Sequence, residues 1–265
     1  LEERTMDLGL KGKNAAVTGS SQGMGHAIAM ALAAEGCNVA LSARGKERLD
    51  KAVAAVAAKD VKAIGVVCDL STSAGCKKFI DEAAAGLGGI DILVNNVGGM
   101  VPGTVDSITD EQWTQFLNTS LLSYVWATRY AISYLKKSNA GRILNVSGFS
   151  GTQLLPGAIT TTLANAGIIG FSKQMAAALA PGITVNNICP GMTNTESWGP
   201  RAEAMAKVRN TTAEDVRKGF SAQTMLGRWA EPSEIGAVAA FMVSAQNSYM
   251  TGTTVEVCGG ITKYL

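Results

Sequence analysis

Between residues 16 and 32 the chain reads AVTGSSQGMGHAIAMAL: a short apolar run, then Thr18, Gly19, Ser21, Gly23, Met24 and Gly25, then apolar residues at helical spacing. Glycines spaced this way between a strand and a helix have a chemical use. They permit a tight turn, let backbone approach a pyrophosphate and allow the helix to pack closely, while the helix start offers unpaired N–H donors to an anion. A glycine string is weak alone and gains weight from the strand before it and the amphipathic helix after it. His26 is the sole histidine. No metal site is therefore expected, and no Ser-His-Asp arrangement can be assembled.

The elements that must hold this loop follow from periodicity. Strand-length apolar runs occur at 14–17, 38–42, 63–68, 91–94, 142–146, 183–188 and 253–257. Alanine-rich stretches with helical spacing lie between them, at 23–35, 46–58, 73–87, 110–137, 162–180 and 232–244. Such alternation predicts an α/β fold: a single doubly wound domain of the Rossmann type, its parallel sheet of about seven strands covered by helices on both faces. The domain is expected over residues 10–265 behind an N-terminal extension, 1–9, of which 1–5 read as an appended segment ahead of Met6. Residues 192–225 are polar, carry Trp198 and Phe220, and interrupt the alternation just after a strand. They read as a lid over a site at the strand ends.

Composition narrows the function classes. Hydrophobic residues make up 47% of the 265, enough for a sizeable core. Lys and Arg number 23 against 21 Asp and Glu, leaving a formal charge of +2 that gives no broad basic surface for nucleic acid. No segment offers about 18 unbroken apolar residues, so no membrane partner is expected. Cys37, Cys68, Cys76, Cys189 and Cys258 are widely spaced without a C-x-x-C pair and read as packed thiols in a reduced, cytoplasmic setting.

The motifs together resemble the short-chain dehydrogenase/reductase family. Its TGxxxGxG spacing matches Thr18, Gly19, Gly23 and Gly25, and CDL at 68–70 resembles the segment in which Asp69 and Leu70 contact adenine. NNVG at 95–98 resembles the family's NNAG, placing Asn95, Val97 and Gly98 at the cofactor, with Val97 a departure. PGMTNT, residues 190–195, resembles the loop that closes on nicotinamide and brings Pro190, Gly191, Thr193 and Thr195. The likeness runs from about residue 10 to residue 260 and implies a nicotinamide dinucleotide. Where the family's NAD-binding members carry an acid after the second strand, this chain has Ala43 followed by Arg44. A guanidinium without a carboxylate suits a 2′-phosphate, so NADP(H) is favoured over NAD(H).

The resemblance also implies a Ser, a Tyr, a Lys and an Asn for proton transfer. Ser147 in ILNVSGFSG and Asn118 in FLNTSLLS match two of these, whereas GAITTTLANAG, residues 157–167, puts Thr161 at the tyrosine position and Asn165 at the lysine position. No register slip restores the pair, because no tyrosine in the sequence is followed four residues later by lysine. A threonine hydroxyl can orient but is a far weaker acid than a phenol tuned by an ammonium.

Three readings stay open on these residues. One is an oxidoreductase of a carbonyl/alcohol pair drawing its proton from water or from Glu196. Another is a catalytically silent subunit that assembles with itself or with an active homologue. The third is a non-redox lyase, hydrolase or isomerase in which Ser147, Thr161 and Asn165 hold a substrate oxygen. A small, partly apolar substrate is suggested by Trp198, Met192, Met100, Leu154 and Leu155.

Overall fold

The computed structural model describes residues 6–155 and 157–263; residues 1–5 and Tyr264 lie outside the described residues. The expected strands form one parallel sheet: β1 (Asn14–Val17), β2 (Asn38–Ala43), β3 (Ala63–Val67), β4 (Ile92–Asn95), β5 (Gly141–Val146), β6 (Ile183–Pro190) and β7 (Thr254–Val257). Their order is β3-β2-β1-β4-β5-β6-β7. The chain direction across the sheet reverses between β1 and β4, so a crevice opens above the carboxyl ends of those strands.

Side-chain alternation sorts the core into two layers. Val17, Leu41, Val94, Leu144 and Ile188 meet α1 (Gly23–Ala34), α2 (Lys46–Ala57) and α9 (Pro232–Met242). Ala16, Ala40, Leu93, Ile143 and Val185 face α3 (Ser73–Leu87), α5 (Ser123–Leu135) and α6 (Ile159–Leu179). Both faces of the central strands are dry, which is why those strands read as nearly continuous apolar runs. Residues 7–9, expected ahead of the domain, are tied to it: Asp7 and Leu8 accept through their carbonyls from the Gln246 side chain and the Ala245 N–H.

The stretch 110–137 is not one regular helix. α4 (Asp110–Leu117), started by a Thr109/Gln112 capping box, passes through a π-helical turn, Asn118–Leu122, into α5. The segment 192–225 holds two helices, α7 (Trp198–Arg209) and α8 (Ala213–Ser221), the latter begun by a Thr212/Asp215 capping box. Both sit over a third apolar cluster that includes Phe149, Cys189, Phe220, Trp229 and Ile261. No helix among the described residues is long and apolar enough to cross a membrane.

The five cysteines are free and buried. Burial pushes the Cys37, Cys76 and Cys189 thiols up from 9.0 to about 12, and Cys68 to about 11. A pKa raised on folding contributes stability that is complete below the unfolded value and is lost as pH climbs towards the folded one. Urea midpoints should therefore fall as pH rises above 9.0, and Cys37→Ala should flatten that fall. A midpoint that rises over the same range would contradict the burial of these thiols.

Candidate active site

A cleft of about 300 Å³ lies at the reversal point, lined by the glycine loop, the ends of β4 and β5, the π turn, α6 and the start of the segment 192–225. Gly19 and Gly23 take left-handed φ angles of 61° and 60°. A Cβ on Gly19 would stand 3.1 Å from Val97, and one on Gly25 would lie 2.5 Å from the Gly19 carbonyl. These positions therefore require glycine. Thr18 is buried; its hydroxyl accepts the Asn96 N–H at 2.8 Å and donates to the Val94 carbonyl at 3.3 Å. It thus fixes β1 to the chain after β4 rather than facing the cleft. Gly19, Gly23, Met24, Val97, Gly98, Gly191, Thr193 and Thr195 line the cleft. Ser21 lies in a neighbouring groove with Gln22, His26 and Arg48.

Several expected cofactor residues sit elsewhere. Asn95 is buried on the sheet, donating from Nδ2 to Thr128 and Asn145, and the neighbouring Asn96 lines the cleft instead. Strand alternation makes the difference, since adjacent residues point to opposite faces. Leu70 belongs to the core and Pro190 is a buried end of β6. Arg44 and Asp69 are exposed beyond β2 and β3, and the Ser71 N–H and hydroxyl hold the Asp69 carboxyl below its usual range, with a smaller effect from Arg44.

Ser147, Thr161 and Asn165 meet in the cleft, whereas Asn118 is not among its lining residues. Two residues along a helix is roughly half a turn. Phe116, Ser120 and Tyr124 therefore share the inward face, and Ser120 occupies the place expected of Asn118. The Ser120 hydroxyl accepts the Gly99 N–H at 3.2 Å. Ser147, 8% exposed, accepts from Asn187 Nδ2 at 2.9 Å. Thr161 gives its proton to the Ala158 carbonyl at 3.0 Å, and Asn165 Nδ2 donates to Ser150 at 2.9 Å. The Asn165 amide fills the space that a Cβ on Gly148 would enter, 2.8 Å away.

Tyr124 is the one tyrosine among the described lining residues. Its phenol is buried and donates to the Val146 carbonyl at 2.7 Å, and desolvation raises its pKa well above the ordinary phenol range. It is a structural hydrogen bond, not a poised acid. The charged side chains lining the cleft are Glu196 and Arg201, and a Cβ on Gly23 would lie 3.9 Å from the Glu196 carboxylate.

Of the apolar residues expected at a ligand, Trp198 lines the cleft. Met192 and Leu155 pack in the third core cluster, Met100 is half-buried outside the lining, and Leu154 is exposed. Phe116, Ala164 and Ile168 supply the apolar wall instead. Because Gly25 touches the carbonyl of Gly19, Gly25→Ala should lower unfolding free energy by about 1–3 kcal/mol. Unchanged denaturant midpoints would contradict that packing.

Residues 19–262 match the family described as enoyl-(acyl carrier protein) reductase. The acetoacetyl-CoA reductase of Shinella zoogloeoides is 35% identical over 251 residues, 93% of this chain and 97% of that protein. A 3-oxoacyl-(acyl-carrier-protein) reductase of Staphylococcus epidermidis is 30% identical over 251 residues, 94% of this chain and 98% of its own length. Among solved structures, L-sorbose reductase from Gluconobacter frateurii, complexed with NADPH and L-sorbose, superposes with a TM-score of 0.93 at 29% identity, covering 98% of this chain and all of that one. With a family match across most of its length and a cleft at the reversal point of its sheet, the chain belongs to the short-chain dehydrogenase/reductase family of oxidoreductases.

Proposed function

We propose that this protein interconverts a carbonyl and an alcohol with NADP(H), holding the reacting oxygen with neutral hydroxyls and exchanging its proton with water. The observation that carries this reading is one continuous cleft joining the glycine loop to Ser120, Ser147 and Thr161. The residues present fit a dinucleotide: Gly19, Gly23 and Gly25 leave the cradle free of side chains, and no acid stands at Ala43 to repel a 2′-phosphate. Arg44 and Arg48 lie on that side of the loop, Arg48 already bonded to Gln22 at 2.8 Å. NADPH in the L-sorbose reductase complex supports the same cofactor here. When bound, NADP(H) supplies or takes up the reducing equivalent.

The chain's own groups decide what happens at the oxygen. Ser147 and Ser120 each receive an N–H, and although Ser147 also bonds the Cys189 thiol, each hydroxyl proton can turn to a carbonyl oxygen. Thr161 spends its proton on Ala158, and Asn165 brings no charge. Glu196 lies over Gly23, at the glycine-loop end. Water in the cleft is then the donor. A positioned general acid is typically worth about 100- to 10,000-fold, so turnover should be slow by about 3–5 kcal/mol of barrier.

Fluorescence titration should give tighter binding of NADPH than NADH, with the difference reduced in Arg44→Ala; binding of neither would remove this reading. Installing the absent groups as Thr161→Tyr with Asn165→Lys should raise ketone reduction by about 100-fold. An unchanged rate would mean that the proton is already delivered by another route. A second reading, a silent subunit paired with itself or an active homologue, is favoured by exposed Leu122, Ile159 and Leu163 on the π turn and early α6. Co-purification with a homologue carrying both Tyr and Lys, together with no turnover by this chain alone, would select it.

A further inference from the structure

Arg201 enters the cleft from the first turn of α7, alongside Ser197 and Trp198. Its guanidinium lies 5.6 Å from the centre of the Trp198 ring. That ring is held in turn by Trp229 at 5.0 Å and Phe220 at 5.9 Å, so the cation rests on a fixed aromatic platform. Among the described residues no carboxylate pairs with Arg201 and no carbonyl accepts from it; Lys218 and Arg228, in the same part of the fold, each have an acidic partner. Desolvation pulls its pKa below the ordinary guanidinium value. A half-buried cation without a counter-ion is costly unless an anion joins it.

A second feature acts at the same place. The first turn of α7 carries no acidic residue, and the Ser197 side chain makes no capping bond to it, bonding to Thr195 instead. The positive end of the helix therefore opens on the cleft beside the guanidinium. Because Ser197, Trp198 and Arg201 all line the cleft, an anion here would share the space with a molecule whose oxygen rests on Ser120 and Ser147.

We propose that Arg201, on its Trp198 platform at the start of α7, binds the carboxylate of an oxo or hydroxy acid substrate. The inference rests on the oxidoreductase reading for the fate of the substrate, but not for its binding. A planar guanidinium matches a carboxylate through paired N–H donors. One cation, sharing the cleft with the Glu196 carboxylate at the glycine-loop end, suits a monoanion better than a phosphate dianion, and the wall of Phe116, Ala164 and Ile168 suits an aliphatic chain.

The test pairs each member of a series of short aliphatic oxo and hydroxy acids with its own methyl ester and a phosphate monoester of matched length. Binding is measured calorimetrically with and without NADPH, on the intact chain and on Arg201→Leu and Arg201→Lys. At least one acid should bind about tenfold or more tightly than its ester. Arg201→Leu should abolish that preference, Arg201→Lys should keep part of it, and NADPH affinity should be unchanged in both. An acid no better than its ester in the intact chain, a preference surviving Arg201→Leu, or tighter binding of the phosphate monoester would overturn the proposal. Loss of NADPH affinity in Arg201→Leu would reassign the residue to the cofactor. If the intact chain bound acids but never NADPH, the oxidoreductase reading would fail while the carboxylate site stood.

Discussion

Asn145 sits in the middle of the sheet and is bonded in two directions: its carbonyl accepts from Asn95 on β4, and its amide donates to Ser172 on α6. Its register partner on β6, Asn187, holds Ser147. The Asn95 and Asn145 amides thus tie β4 to β5 and α6, while Asn187, level with Asn145 on β6, reaches the hydroxyl at the base of the cleft. Buried amide donors are costly unless paired, so these bonds favour one relative placement of β4, β5 and α6. The position of Ser147 is a consequence of sheet register rather than of a local loop.

Above that row the cleft is chemically quiet. Its hydroxyls are neutral, its tyrosine is committed to the backbone, and Asn165 presents an uncharged amide bonded to Ser150. The glycine loop, by contrast, is closely packed: a Cβ on Gly19 would meet Val97 and one on Gly25 the Gly19 carbonyl. The loop and the hydroxyls of the cleft are formed by separate residues, so one set can persist while the other changes. Among the described residues, charge on the cleft is confined to Glu196 and Arg201, both carried by the segment 192–225. Under the proposed reading, selectivity for an ionic substrate would reside in that segment, and orientation of the reacting oxygen in the sheet.

The sheet was legible because strands dry on both faces leave uninterrupted apolar runs, and the helices between them keep a clear period. The glycine loop was legible because its backbone geometry excludes other residues. Asn118 opens the π turn without lining the cleft, which periodicity does not show: it marks a helix but not a π turn within it, and the inward face runs through Phe116, Ser120 and Tyr124. Asn95 and Asn96 differ by one residue and hence by a face of the strand, which similarity of motif alone does not resolve. Helix α8 left a usable signal in the capping pair Thr212 and Asp215, but nothing in the sequence singles out Arg201. The platform of Trp198 and the lack, among the described residues, of an acidic partner distinguish it.

A neutral set of hydroxyls and a proton-rich cleft controlled by a tuned side chain differ most sharply in their response to pH. The decisive measurement is kcat/KM for carbonyl reduction with saturating NADPH from about pH 6 to 9, in light and heavy water. The account predicts a slow rate with no side-chain ionisation in that interval. A fast rate with a midpoint near neutrality, abolished by substituting a single residue of the cleft, would contradict it.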